Sequence, residues 1–169
     1  ENIFIPSSLE TWGTGAICVC HKLKRIDVDE NNRYFKSIDG ILFSKNETIL
    51  YHYPGGKEGN EYTIPSTVTT LHTSSFRGTS YLEKVYIGSH VTTINAHSFM
   101  ESKKLEMIYI DPKHETYTSV DGVVFDKSIT TMYFYPTGNK SSTYYLPLNV
   151  TTIGYQGFRG CYYLETVVI

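Results

Sequence analysis

Apolar residues along this chain return at fixed intervals, and the interval is too long for any single helix or strand. Three stretches superpose column on column: "TIPSTVTTLHTSSFRGTSYLEKVYI" from Thr63, "GSHVTTINAHSFMESKKLEMIYI" from Gly88, and "LPLNVTTIGYQGFRGCYYLETVVI" from Leu146. Val68, Val91 and Val150 each precede Thr-Thr, and Leu71, Ile94 and Ile153 form the next apolar column. Phe76, Phe99 and Phe158 follow, then Leu82, Leu105 and Leu164. Each unit closes on two apolar residues one apart, Val85/Ile87, Ile108/Ile110 and Val167/Ile169. That alternation is the period of a strand with one face buried. The β-branched Val-Thr-Thr-Leu/Ile stretch predicts a second short strand on the opposite wall. Ser74-Ser75-Phe76-Arg77-Gly78 predicts a turn or a single helical turn ended by glycine. The opening "IPSSLETWGTGAICVCHKLKRIDV" fits the same frame through Leu9, Trp12, Ile17, Leu23, Ile26 and Val28.

The closing positions Ile5, Val28, Ile64, Ile87, Ile110, Leu146 and Ile169 are separated by 23, 36, 23, 23, 36 and 23 residues. The chain therefore holds two copies of an 82-residue super-repeat within a single domain spanning residues 1–169. Both long coils carry one phrase, "SIDGILFSKNETILYHYP" at 37–54 and "SVDGVVFDKSITTMYFYP" at 119–136. It reads as a β-hairpin insert. Asp39-Gly40 and Asp121-Gly122 open strands, "SKNET" and "DKSIT" make the turns, and "PGGKEGNE" and "PTGNKSST" are expected as exposed loops. One coil is too small to offset its own ordering entropy, so coils must stack, pairing strands into a continuous sheet over a shared core. The expected fold is a β-rich solenoid: a curved parallel sheet, short second strands or turns on the opposite wall, and two hairpin inserts.

Composition narrows the function. A formal charge of −2 and no run of Lys or Arg argue against nucleic acid as a partner, and no apolar stretch reaches the length of a membrane span. Three cysteines cannot all pair, and Cys20 and Cys161, in one repeat slot, are expected as small buried residues. The histidines His21, His52, His72, His90, His97 and His114 fall in different columns and form no metal-binding or triad-like pattern. Glu83, Glu106 and Glu165 share one column and read as a solvated stripe rather than an acid/base pair. Asp39 and Asp121, each before glycine, read as turn formers. No catalytic residue, metal site or cofactor is expected.

The columns I-P-x-x-V-T-x-I-x-x-x-x-F-x-G-C-x-x-L-x-x-V-x-I resemble the BspA-like, or Treponema-type, leucine-rich repeats. "IPSTVTTLHTSSFRGTSYLEKVYI" and "LPLNVTTIGYQGFRGCYYLETVVI" are close to that pattern, and the Asp-Gly…Tyr-x-Tyr-Pro phrase resembles an insert of such proteins. The first coil departs most, with Trp12 for Leu/Ile, Ile17 for Phe and Val19 for Gly. The resemblance implies a leucine-rich-repeat solenoid, secreted or on the cell surface, that binds protein or glycoprotein ligands in adhesion and has no catalytic residues.

A recognition surface is expected on the outward positions of the closing strands, Phe4, Asp27, Thr63, Tyr86, Tyr109, Tyr145 and Val168, flanked by Arg25, Lys84, Met107 and Thr143. Arg25, Asp27, Lys84, Tyr86, Met107, Tyr109 and Tyr145 are the candidate ligand contacts, because aromatic, Met and basic residues concentrate at protein interfaces. Aromatic strand residues also suit a β-ladder without any ligand. Asn46, Asn139 and Asn149 head Asn-x-Ser/Thr sequons and are candidate glycosylation sites. The chain starts at Glu1 and stops at Ile169, inside a closing strand, with no polar cap at either end. That predicts either a piece of a longer array or a self-assembling structural protein whose copies stack end to end, in both cases with homotypic association.

Overall fold

The computed structural model describes residues 1–169, with the side chain of Ala96 left aside. Seven strands form the closing wall: β1 (Asn2–Ile5), β2 (Arg25–Val28), β6 (Glu61–Thr63), β8 (Lys84–Ile87), β10 (Met107–Ile110), β14 (Thr143–Tyr145) and β16 (Thr166–Val168). The first long coil adds β3 (Phe35–Ile38), β4 (Ile41–Ser44) and β5 (Ile49–His52), and the second adds β11 (Tyr117–Val120), β12 (Val123–Asp126) and β13 (Thr131–Phe134). The opposite wall holds the two-residue strands β7 (Thr70–Leu71), β9 (Thr93–Ile94) and β15 (Thr152–Ile153). Among the described residues, helix is confined to one 3₁₀ turn, Ala96–Phe99. The chain is a β-solenoid of about seven turns, as the apolar columns require.

The parallel register repeats the sequence period. Glu61 pairs with Lys84 and Lys84 with Met107, so residues 23 apart stand side by side. The Thr-Thr column links the other wall: Thr69 N donates to Thr48 O at 2.8 Å and Thr92 N to Thr69 O at 2.8 Å. Between the walls each coil contributes one ring to an aromatic column. Centroids are 5.4 Å apart for Tyr53–Phe76, 5.3 Å for Phe76–Phe99 and 5.7 Å for Phe99–Phe134, spacings at which aromatic pairs stabilise beyond their buried area.

The inserts differ from expectation. Each is a three-stranded antiparallel meander, β3-β4-β5 and β11-β12-β13, because Asp39-Gly40 and Asp121-Gly122 are the tight turns between the first two strands. Asp39 and Asp121 both take φ 50°, and their glycines 75° and 81°, the left-handed pair that a two-residue hairpin turn requires. The turn tips dock on the closing wall: Ile26 N donates to Gly40 O at 2.8 Å and Ile108 N to Gly122 O at 3.1 Å. A Cβ on Gly40 would stand 2.7 Å from Arg25 Cβ, so only glycine permits this approach. The tips occupy the edges of β2 and β10, and the expected parallel sheet is consequently divided into three ladders, β1-β2, β6-β8-β10 and β14-β16.

The core is divided in the same way. Ile41 and Phe43 pack into the central cluster while Leu42 packs into the N-terminal one; Val124 faces the central cluster while Val123 and Phe125 face the C-terminal one. β4 and β12 are internal partitions whose alternating side chains serve two cores, which is why "ILF" and "VVF" run apolar without a polar face. The loops after Tyr53 and Tyr135 also correct the expectation of full exposure. Pro54, Gly55 and Gly56, and likewise Pro136, Thr137 and Gly138, are buried, and only the later residues of each loop reach solvent. Gly56 N donates to Leu23 O at 2.7 Å and Gly138 N to Leu105 O at 2.9 Å, so both loops are clamped to the preceding coil.

Cys20 is exposed rather than buried, and all three cysteines are free thiols. Cys161, in the equivalent slot, is half-buried and rests its Sγ 4.0 Å from Tyr135 O of the coil before it. Cys20 instead turns its Sγ toward the Cys18 carbonyl of its own coil, 3.9 Å away and exposed to solvent.

Candidate functional site

The central ladder gathers four of the candidate contacts. The pairings Met107–Lys84 and Tyr109–Tyr86 place these side chains on adjacent rungs of β8 and β10. Their positions alternate with Val85, Ile87, Ile108 and Ile110, which are buried, so strand geometry forces them outward. The Tyr86 and Tyr109 rings lie nearly parallel, 10° apart with centroids at 4.9 Å. Tyr109 is 38 % exposed and Tyr86 half-buried. The Tyr109 hydroxyl donates to Met107 Sδ at 2.8 Å.

Glu61 completes the patch and was missed in the sequence, although its 23-residue spacing from Lys84 already made it a neighbour. Lys84 Nζ donates to Glu61 Oε1 at 2.7 Å, and the Tyr86 hydroxyl to Glu61 Oε2 at 3.3 Å. The bond from Lys84 holds the Glu61 carboxyl below its usual range and Lys84 above its own. Partial burial, followed by the Glu61 charge, pushes the Tyr86 phenol up. Exposed pairs of this kind contribute little to stability, and their effect here is to orient the patch.

At the far ends of β6, β8 and β10 a groove of about 840 Å³ adjoins the tyrosines, lined by Pro65, His90 and Pro112 among others. His90 Nε2 bonds Pro65 O at 3.0 Å, and its ring lies over Gly88, where any Cβ would collide with it. Proline and histidine here follow closing strands in different coils, and only stacking makes them one surface.

The remaining candidates stand apart. Arg25 and Asp27 lie on β2 in the first ladder and bind each other, Arg25 Nε donating to Asp27 Oδ1 at 3.0 Å. Tyr145 lies on β14 in the last ladder, 71 % exposed and paired in register with Val168. Asn46 and Asn149 are exposed and Asn139 is half-buried. The Asn46 Oδ1 accepts from Ser44 Oγ at 2.8 Å and Thr48 Oγ1 at 2.9 Å, and the Asn139 Oδ1 from Ser141 N at 3.0 Å.

The acidic column does not converge: Glu106 is paired with Lys140, while Glu83 accepts from Asn60 Nδ2 at 3.5 Å. Among the described residues no three His, Cys, Asp or Glu side chains are placed to hold a metal ion. No helix among them is long and apolar enough to cross a membrane.

A solenoid of stacked β-coils, with an aromatic patch on an exposed parallel ladder, defines a repeat protein. The chain belongs to the BspA type leucine rich repeat family, whose model matches residues 1–58 and 51–169 in six copies. Solenoids of this family are typically non-catalytic. A comparison with curated proteins finds no match.

Solved structures do match. The pneumococcal vaccine antigen PcpA is 29 % identical with a TM-score of 0.71, over 99 % of this chain and 38 % of that one. A leucine-rich repeat protein from Eubacterium ventriosum is 25 % identical with a TM-score of 0.63, over 99 % and 48 %. A leucine rich cell surface protein from Faecalibacterium prausnitzii, 24 % identical with a TM-score of 0.71 over 99 % and 47 %, shares the fold. The chain thus spans less than half the length of each of these proteins.

Proposed function

We propose that the chain is a non-catalytic recognition module, extracellular or displayed at a cell surface, that binds a protein or glycoprotein through its central ladder. The observation that carries this reading is the stacked Tyr86–Tyr109 pair, exposed beside Lys84, Glu61 and Met107 and continuous with the proline-lined groove. Rigid aromatic rings offer large contact area at low entropic cost, and the oriented Lys84–Glu61 pair adds directional polar contacts at the rim. Leucine-rich-repeat domains often bind proteins, which supports the same reading.

The test is a survey of immobilised extracellular proteins and glycoproteins by biolayer interferometry, repeated with Tyr86→Ala, Tyr109→Ala and the double variant. Loss of the selected ligand, with a melting temperature within about 4 °C of the parent, is the expected result. Retained binding in the double variant overturns the assignment of the site. A collapse of stability would show that the tyrosines serve the fold instead.

A further inference from the structure

The two hairpin tips cap the strands they dock on. On β2, Ile26 N donates to Gly40 O and Ile26 O accepts from Ser37 Oγ at 2.5 Å; on β10, Ile108 N donates to Gly122 O and Ile110 N to Ser119 Oγ at 3.0 Å. The next closing strands, β6 and β14, receive no such cap. In the β6–β8 ladder Asn60 O accepts from Lys84 N at 3.0 Å and Ile64 N donates to Tyr86 O at 2.9 Å. Alternation along a parallel strand then directs the N–H and C=O of Glu61 and Thr63 away from β8. Among the described residues no group pairs with them, and β6 ends its sheet. Thr143 and Tyr145 repeat the arrangement on β14, 82 residues further on.

Burial shows that this edge is open. Glu61 and Thr63 are exposed and Tyr62 is half-buried, the same pattern as in β14 and in the last strand, β16. Val85 and Ile108, which share the inward row with Tyr62 on the covered rungs β8 and β10, are fully buried. The Tyr62 ring packs on Tyr53 and Phe76, with centroids at 5.1 and 5.9 Å, and has no further rung over its other side.

The open edge is continuous with the tyrosine patch. Glu61 accepts from Lys84 and from the Tyr86 hydroxyl, and Thr63, in register with Tyr86, lines the groove. Unpaired N–H and C=O groups along a strand are a template for another extended chain, whose main chain presents donors and acceptors at the matching spacing. In such strand addition the backbone bonds supply affinity and alternate side chains supply specificity.

We infer that the protein ligand engages β6 by strand addition. An extended polypeptide segment pairs with the N–H and C=O of Glu61 and Thr63, seats one apolar side chain on Tyr62, and turns its flanking polar side chains outward beside the patch. This rests on the reading of the central ladder as the binding surface and names the form the ligand takes there.

The probe is a display library of decapeptides with apolar residues at alternate positions, selected on the immobilised chain; the recovered peptide is measured by fluorescence anisotropy. Saturable binding is expected to slow amide exchange at Glu61 and Thr63, read by NMR, whereas both exchange freely without peptide. N-methylation of one alternating set of peptide nitrogens should weaken binding about tenfold or more, and of the other set should leave it nearly unchanged. Thr63→Pro deletes an unpaired N–H and blocks the edge. It is expected to lose about tenfold or more in affinity while melting within about 4 °C of the parent, because edge strands tolerate proline. Wild-type affinity in Thr63→Pro, indifference to methylation of either set, or recovery of no peptide overturns strand addition. Should Thr63→Pro fail to fold, the methylated peptides on the parent chain decide. Peptides kept by Thr63→Pro but lost by the Tyr86→Ala/Tyr109→Ala variant would overturn the edge and leave the ladder face standing; peptides kept by both would overturn both. Concentration-dependent protection of Glu61 and Thr63 in the free chain would give the edge to a second copy and overturn this occupant.

Discussion

His114 and Asn32 perform one task at equivalent points of the two super-repeats, 82 residues apart. Asn32 Nδ2 donates to Pro6 O at 2.8 Å and Leu9 O at 3.0 Å, while its Oδ1 accepts from Tyr34 N and Phe35 N at 2.8 Å each. His114 Nε2 donates to Val91 O at 2.7 Å, while its Nδ1 accepts from Thr116 N at 3.1 Å and Tyr117 N at 3.2 Å. Both side chains are buried, and both tie the entry of the long coil to the coil before it. The two accepted N–H groups assign the histidine proton to Nε2. His114→Asn is therefore expected to cost less than about 1 kcal/mol, and His114→Leu about 2–3 kcal/mol, because leucine leaves the buried Val91 carbonyl and two part-buried N–H groups without their partner. Urea unfolding measures both. Equal stabilities would show that these bonds contribute nothing net.

His52 makes the first long coil sensitive to acid. It is buried beside Trp12, its Nε2 has no partner, and the equivalent slot in the second copy is Phe134. Burial, followed by the charge of His72, lowers its pKa from 6.5 to about 4. The unfolded chain then binds the proton more readily than the folded one, so stability is full above pH 6.5 and declines as pH falls toward 4. The loss is about 3 kcal/mol. His52→Phe should flatten this segment of the stability–pH curve, followed by chemical unfolding at several pH values. Below that window Asp126 adds a loss of the same sign. Its carboxylate, held below the usual range by the Ser128 hydroxyl and then by Thr131 N, loses those bonds on protonation.

The clamped loops predict unequal tolerance of glycine replacement. A Cβ on Gly56 would stand 2.5 Å from His21 O and 2.8 Å from Lys22 C, and one on Gly138 would stand 2.5 Å from Lys104 C. These neighbours are backbone and cannot rotate away. Gly56→Ala and Gly138→Ala are expected to cost about 2–3 kcal/mol or more, read as a drop in melting temperature. Gly13→Ala, with nothing within 4 Å of its Cβ, is the control and should be near neutral.

Val19 holds φ 64° in the column where Gly78 and Gly160 take 78° and 76°. A β-branched residue is strained there by about 1–2 kcal/mol, part of which the flexibility of glycine in the unfolded chain would offset. Val19→Gly is expected to leave stability unchanged or to raise it by up to about 1 kcal/mol in thermal unfolding. A marked loss would mean that the Val19 side chain contributes more by packing than its backbone costs.

The period, the closing strands and the outward direction of Tyr86 and Tyr109 were legible in the sequence. They depend on side-chain alternation and on a repeat whose apolar columns must face one another, and both are local properties multiplied by stacking. The division of the sheet into three ladders was not legible. It arises because Gly40 and Gly122 bring a hairpin tip onto the edge of a strand many residues away, and Ile41, Leu42 and Phe43 look alike whichever core they enter. The sites followed the same rule. Tyr86 beside Tyr109 could be read from the 23-residue spacing, whereas Arg25, Asp27 and Tyr145 were separated from them by the inserts. The unpaired state of the Thr79 hydroxyl was invisible in the sequence, because a threonine in a slot that elsewhere holds serine or cysteine gives no sign that its hydroxyl lacks a partner. Only the three-dimensional position of the neighbouring carbonyls decides which polar groups are satisfied.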